Sequence, residues 1–307
     1  MNKNHLFNVL RAIFAFTFLA FIIMYIGPAK LVGALLSANP FFVFLAILLA
    51  LLLLTMNAFA INLLLKHMLV ISFSDFFKKY IISWAFGTML PGRLGDFSLG
   101  FLLRDKIPAS KTFAVVLIDK LLTLLLYSSV TLIWIFYLFA NNAILQLVPA
   151  VVLLWLALMA VLFSKQMKQF ILCVVKKYFE NHNLAISYFS ETFFFLLNKK
   201  RTAILGNFLA SVLRMLTIAA IFYLLLLSFG VQPNYPALVI IVAMVAIMAF
   251  IPVSINGLGL REASFIFLCA QIDIPAVISA SAVLISTSVD YIVTGLVFIC
   301  QVFPKKK

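Results

Sequence analysis

Arg93, Lys120, Arg214 and Arg261, with Asp96, Asp119, Glu262 and Asp290, are ionisable side chains set in or beside long apolar runs of a 307-residue sequence that is 65% hydrophobic and 10% charged. A charge at the centre of a bilayer costs about 2.5–3.5 kcal/mol on insertion scales, so such residues persist only when paired, hydrated or bound to something. Their spacing suggests a chemistry. Arg93 and Asp96 flank a break made by Pro91, Gly92 and Gly95, while Arg261 and Glu262 follow a second break made by Pro252, Gly257 and Gly259. Glycine at such a tip exposes backbone N–H groups at a helix start, and a guanidinium adds two parallel donors, a combination that suits a phosphate. Asp119 with Lys120, and Asp290, each fall in the apolar run after a break; Arg214 is the most isolated basic residue. Two alternatives stay open: an anion site whose acids neutralise the bases when it is empty, or ion pairs that only fix the fold.

Other chemistries are not spelled out. Cys173, Cys269 and Cys300 lack ligand-like spacing, as do His5, His67 and His182, so no metal or other cofactor is expected. The P-loop pattern is absent, which leaves no ATP motor of that type and makes an enzymatic activity the less favoured class. The net charge of +14 is explained by its position along the chain, not by nucleic-acid binding.

The elements that must hold the eight residues are helices in lipid, because a bilayer admits no unpaired backbone. Full spans are predicted at Ala12–Gly27 (a retained signal-anchor, since Pro28-Ala-Lys30 is a poor cleavage context), Phe41–Leu65, Thr112–Ala140, Ile144–Phe163, Thr202–Phe229 and Ala276–Val302. Phe76–Leu103 and Ala237–Ala270 have arms too short to cross and read as re-entrant helical hairpins with the two breaks at their tips. Between Ser164 and Arg201 lies a polar excursion in which Met167, Phe170, Ile171, Val174 and Tyr178 form a helical stripe beside lysines, an amphipathic segment for an anionic lipid surface. The fold class is thus an all-α polytopic membrane protein, a single domain over 1–307.

Basic residues crowd the N-terminus, 66–79, 104–111, 164–201 and the Pro304-Lys-Lys-Lys307 tail, whereas the opposite connections carry only Lys30. The positive-inside rule therefore puts both termini and the 164–201 segment in the cytoplasm. Halves 1–142 and 143–307 each run span, span, hairpin, span. An odd number of crossings per half inverts the second relative to the first, an arrangement in which broken helices meet near the midplane around a substrate.

Leu90-Pro-Gly-Arg-Leu-Gly-Asp96, Ile118-Asp-Lys-Leu121 and Ile251-Pro-Val-Ser-Ile-Asn-Gly-Leu-Gly-Leu-Arg-Glu262 resemble the flippase-like integral membrane family that includes the membrane domain of lysylphosphatidylglycerol synthases, over most of residues 8–303. The resemblance implies a bacterial or archaeal inner-membrane protein that moves lipids or lipid-linked groups between leaflets. It departs from the family in the last span, where a basic residue is expected and Asp290 stands. No soluble aminoacyl-transferase domain follows, so synthesis of an aminoacylated lipid is not expected. The expected function is a lipid translocator with membrane lipids as partners, their phospholipid or polyprenyl-phosphate headgroup meeting Arg93, Arg261 and Arg214. A membrane glycosyltransferase using polyprenyl-phosphate donors is the alternative, disfavoured by short outer loops, and a scaffold for other membrane enzymes is a third.

Overall fold

A computed structural model describes residues 17, 20, 23–89, 94–138, 183–250 and 256–302. Pro91, Gly92, Arg93 and Pro252, the predicted span Ile144–Phe163 and the stripe at 167–178 lie outside them, as do nine of the sixteen residues of Ala12–Gly27. Every regular element among the described residues is helical. They are α1 (Pro28–Ser37), α2 (Pro40–Leu65), α3 (Phe73–Met89), a 3-10 turn (Leu94–Phe97), α4 (Ser98–Leu102), α5 (Ala109–Leu138), α6 (Asn183–Lys199), α7 (Arg201–Leu227), α8 (Tyr235–Phe250), α9 (Leu260–Ala270) and α10 (Ala276–Val302).

Four of these, α2, α5, α7 and α10, are long and apolar enough to cross a membrane, and they match four of the predicted spans to within a few residues. Their starts are set locally. Asn39 accepts the Phe41 N–H at 3.0 Å and Pro40 occupies the first turn of α2, where a missing N–H removes nothing. Ser72 caps α3, accepting from the Asp75 N–H and donating to its carboxylate. At the head of α9, Gly257 and Gly259 take φ of 75° and 85°, which favours glycine, and Glu262 accepts the Gly259 N–H at 2.6 Å.

The chain doubles back between α3 and α4. Lys79 Nζ reaches the Leu102 carbonyl at 2.6 Å and Ser83 Oγ reaches the Asp96 carbonyl at 3.0 Å, so the returning arm runs antiparallel along α3. That arm, expected as part of a helical hairpin, is a 3-10 turn followed by about one and a half helical turns. Close approach is the reason. A Cβ on Gly95 would run into the Phe86 carbonyl and the Gly87 nitrogen, and one on Gly87 into the Asp96 carboxylate.

α2 and α7 pack along their lengths and form the spine. One core lies at the end where α2 stops and α7 starts: Leu64, Leu65, Phe76, Leu99, Leu103, Ile118 and Ala203 meet there with Phe193 and Leu196 of α6. A second core lies at the other end, where Ala46, Leu225, Leu226, Leu238, Phe265 and Val283 bring together the start of α2, the end of α7, and α8, α9 and α10. The two doubled-back segments therefore pack on opposite ends of one spine. Basic side chains share the first end, and there burial, with Lys200 and Lys66 nearby, holds the His67 imidazole below its ordinary range.

Candidate functional site

Seven of the eight ionisable residues singled out by the sequence are described, and they form three groups. In the first, Arg214 at the middle of α7 donates through Nη2 to Asp119 Oδ1 at 2.9 Å, to Thr123 Oγ1 at 3.2 Å and to Ser211, and through Nη1 to Asn57 Oδ1 at 3.2 Å. Asn207 donates to the same Asp119 oxygen at 3.0 Å and to the Ala60 carbonyl at 2.9 Å. Arg214 is 5% and Asp119 1% exposed, and the basic residue most isolated in the sequence has its partner 95 residues earlier in the chain.

Lys120 does not share that partner. One residue along a helix turns the side chain about 100°, and Lys120 Nζ faces the 3-10 turn, where it pairs with Asp96 Oδ2. The adjacent residues Asp119 and Lys120 thus bind α5 to two different elements. Asp96 is held there by Gly87, whose lack of a side chain leaves room for its carboxylate, and by the Ser83 bond to its backbone.

The third group stands at the head of α9. Arg261 Nη2 donates to Thr287 Oγ1 at 2.7 Å and lies 3.3 Å from Glu262 Oε1, while Nη1 lies 3.6 Å from Asp290 Oδ2 on α10. The Thr287 hydroxyl in turn donates a hydrogen bond to Glu262 Oε1 at 2.8 Å. Glu262, 1% exposed, grips the tip from behind through the Gly259 N–H. Asp290 is the loose member, at the longest of these distances and with a third of its side chain exposed.

All three groups open on one cavity of about 170 Å³, whose wall includes Asp96, Asp119, Lys120, Arg214, Arg261 and Asp290. Glu262 stays behind that wall. Asp119 lies about 15 Å along α5 from its first residue at 1.5 Å per residue, a third of the helix, while Arg214 and Asp290 fall at the middle of α7 and α10, so the cavity lies well inside the spans rather than at their ends. Its remaining wall is largely apolar, with Trp84, Leu53, Phe222 and Val245. Such a chamber can hold a small charged group while apolar walls receive what is attached to it.

Sequence reasoning missed the polar residues that orient the charges: Asn207, Ser211, Thr123 and Thr287. A signal was present. Asn207, Ser211 and Arg214 stand at steps of four and three on α7, and Thr287, Asp290 and Thr294 at three and four on α10, each a polar stripe on one face of an apolar helix. Thr294 carries that stripe to the first doubled-back segment through a 2.9 Å bond with Thr88. Among the described residues no group of His, Cys, Asp and Glu could hold a metal ion.

No curated protein and no solved structure matches this chain. A family model described as the lysylphosphatidylglycerol synthase TM region matches residues 8–297, a stretch holding all three charged groups of the cavity and every helix above except the last five residues of α10, and the chain belongs to that membrane-domain family.

Proposed function

We propose that the chain is a lipid translocator of the cytoplasmic membrane, carrying the phosphate-bearing headgroup of a phospholipid or polyprenyl phosphate through the cavity between its two doubled-back segments. One observation carries this reading. Lys120, Arg214 and Arg261, from three different helices, open on a single cavity inside the spans, each already held by an acid that a phosphate can replace. Fixing a fold does not require three buried ion pairs to share one chamber, since apolar packing of the same volume serves at least as well. The two segments act as re-entrant hairpins, the first entering from the cytoplasm and the second from outside. Six spans, an inverted repeat and cytoplasmic termini complete the topology. Arg93, at the first tip, adds a further donor. Rocking of one half against the other alternates access.

Arg261 is the residue to test first. In proteoliposomes with fluorescent lipids, Arg261→Lys keeps the charge but loses the two-pronged donor, and transport is expected to fall at least about tenfold at unchanged expression. If Arg261 only balances its acids, Glu262 and Asp290, lysine rescues it, and transport at the wild-type rate in Arg261→Lys would rule out a two-pronged phosphate contact. The purified protein should move lipid without altering it. A glycosylated product from a polyprenyl-phosphate sugar, with no lipid movement, would replace translocation by glycosyl transfer.

A further inference from the structure

The pairing of Asp119 with Arg214 is one-sided. Oδ1 of Asp119 accepts from Arg214 and from Asn207, whereas Oδ2 is buried and has no hydrogen-bond partner among the described residues. A guanidinium facing a carboxylate ordinarily engages both oxygens in parallel. Here Arg214 spends its other donor nitrogen on Asn57. An acceptor sealed in this way costs about 1–3 kcal/mol, and more when charged. Flipping the Asn207 amide does not relieve it, because both hydrogens of that amide are already spent on Asp119 Oδ1 and the Ala60 carbonyl.

A proton on Oδ2 changes the balance of the pair. It makes Asp119 neutral, leaves Oδ1 to Asn207, and frees the positive charge of Arg214 for an anion in the cavity that both residues line. Accepting the headgroup reading, we infer that Asp119 takes up one proton when the phosphate binds at Arg214, so that proton and lipid travel together. The proton comes from water in the cavity and returns to water when the phosphate leaves and Arg214 turns back to Asp119.

The groups facing Asp119 are consistent with this assignment. α7 presents Arg214, while Lys120 on α5 is committed to Asp96 of the 3-10 turn. α3 and α5 add Tyr80 and Tyr127 to the cavity wall, and Arg261 and Asp290 stand across it. α2 carries no ionisable side chain, and α8 has only Tyr235, at its first residue. α6 meets α5 through Phe193 and Leu196, with Tyr188 beneath Lys111 two turns before Asp119.

The test uses the full chain in a maltoside detergent and dihexanoyl phosphatidylglycerol, a phosphodiester that does not itself titrate near neutrality. Calorimetry in two buffers of different ionisation enthalpy counts the protons taken up. About one proton per lipid is expected, with affinity falling about tenfold per pH unit on the alkaline side. Asp119→Asn should bind without uptake and without that slope. Independently of any variant, a ligand-minus-free infrared difference spectrum of the wild type should gain a carboxylic acid C=O band. Binding without uptake, uptake that survives in Asp119→Asn, or no carboxylic acid band would each overturn the coupling while leaving the headgroup site standing. Absence of any lipid binding between about pH 5 and pH 8 would overturn the headgroup site and the coupling together.

Discussion

Asp119 and Lys120 show how much one residue step decides inside a membrane helix. Adjacent in sequence and opposite in charge, they look like each other's partner. The helical turn instead sends Asp119 to Arg214 on α7 and Lys120 to Asp96 on the 3-10 turn. Removing one member of such a pair leaves an almost fully buried charge without its counter-ion. Asp119→Leu is therefore expected to destabilise the protein by about 3–5 kcal/mol, read as a lower melting midpoint in detergent. Adding Arg214→Leu should recover most of that loss, since an apolar pair of similar volume packs without stranded charge. The double variant should fold yet move no lipid; transport at the wild-type rate would show that the pair is only a fold-fixing contact.

At the scale of elements, the first doubled-back segment is held by shape as much as by charge. Gly95 and Gly87 bring the returning arm against α3 at a spacing no side chain permits, and this places Asp96 beside Lys120. Gly95→Ala would push a methyl group against backbone, which has less room to yield than a flexible side chain. A loss of more than about 2 kcal/mol is expected, of the size seen for overpacked cores. Gly33→Ala in α1 is the matching control, because a Cβ there meets nothing within 4 Å and alanine favours the helix by up to about 1 kcal/mol. Equal melting midpoints for the two variants would mean that the close approach is not what positions Asp96.

At the scale of the whole molecule, the spine of α2 and α7 carries one core at each end, with the cavity between them. The proposed topology places the end bearing Lys66, Lys106 and Lys200 in the cytoplasm. In a cysteine-free background, single cysteines at Leu35, Gln232 and Gln271 are expected to react with an impermeant thiol reagent on intact cells. Cysteines at Lys106 and Ser187 should react only after permeabilisation. Labelling of the Lys106 position from outside would remove both the orientation and the inverted repeat.

Composition and the length of apolar runs were enough to place α2, α5, α7 and α10, because a bilayer demands long, internally bonded helices and leaves few other solutions. The eight ionisable residues were legible for the same reason: charge in an apolar run is costly and stands out. What the sequence could not supply was who pairs with whom. Arg214 and Asp119 are 95 residues apart, and Arg261 reaches Thr287 and Asp290 across a helix boundary. Such contacts follow from how helices rotate and pack against one another, which local periodicity does not encode. Nor could it show that the returning arm would break into a 3-10 turn, since that depends on Gly95 meeting the backbone of another helix. Local physics chose the helices and the price of their charges; only packing around the α2–α7 spine brought those charges to one cavity.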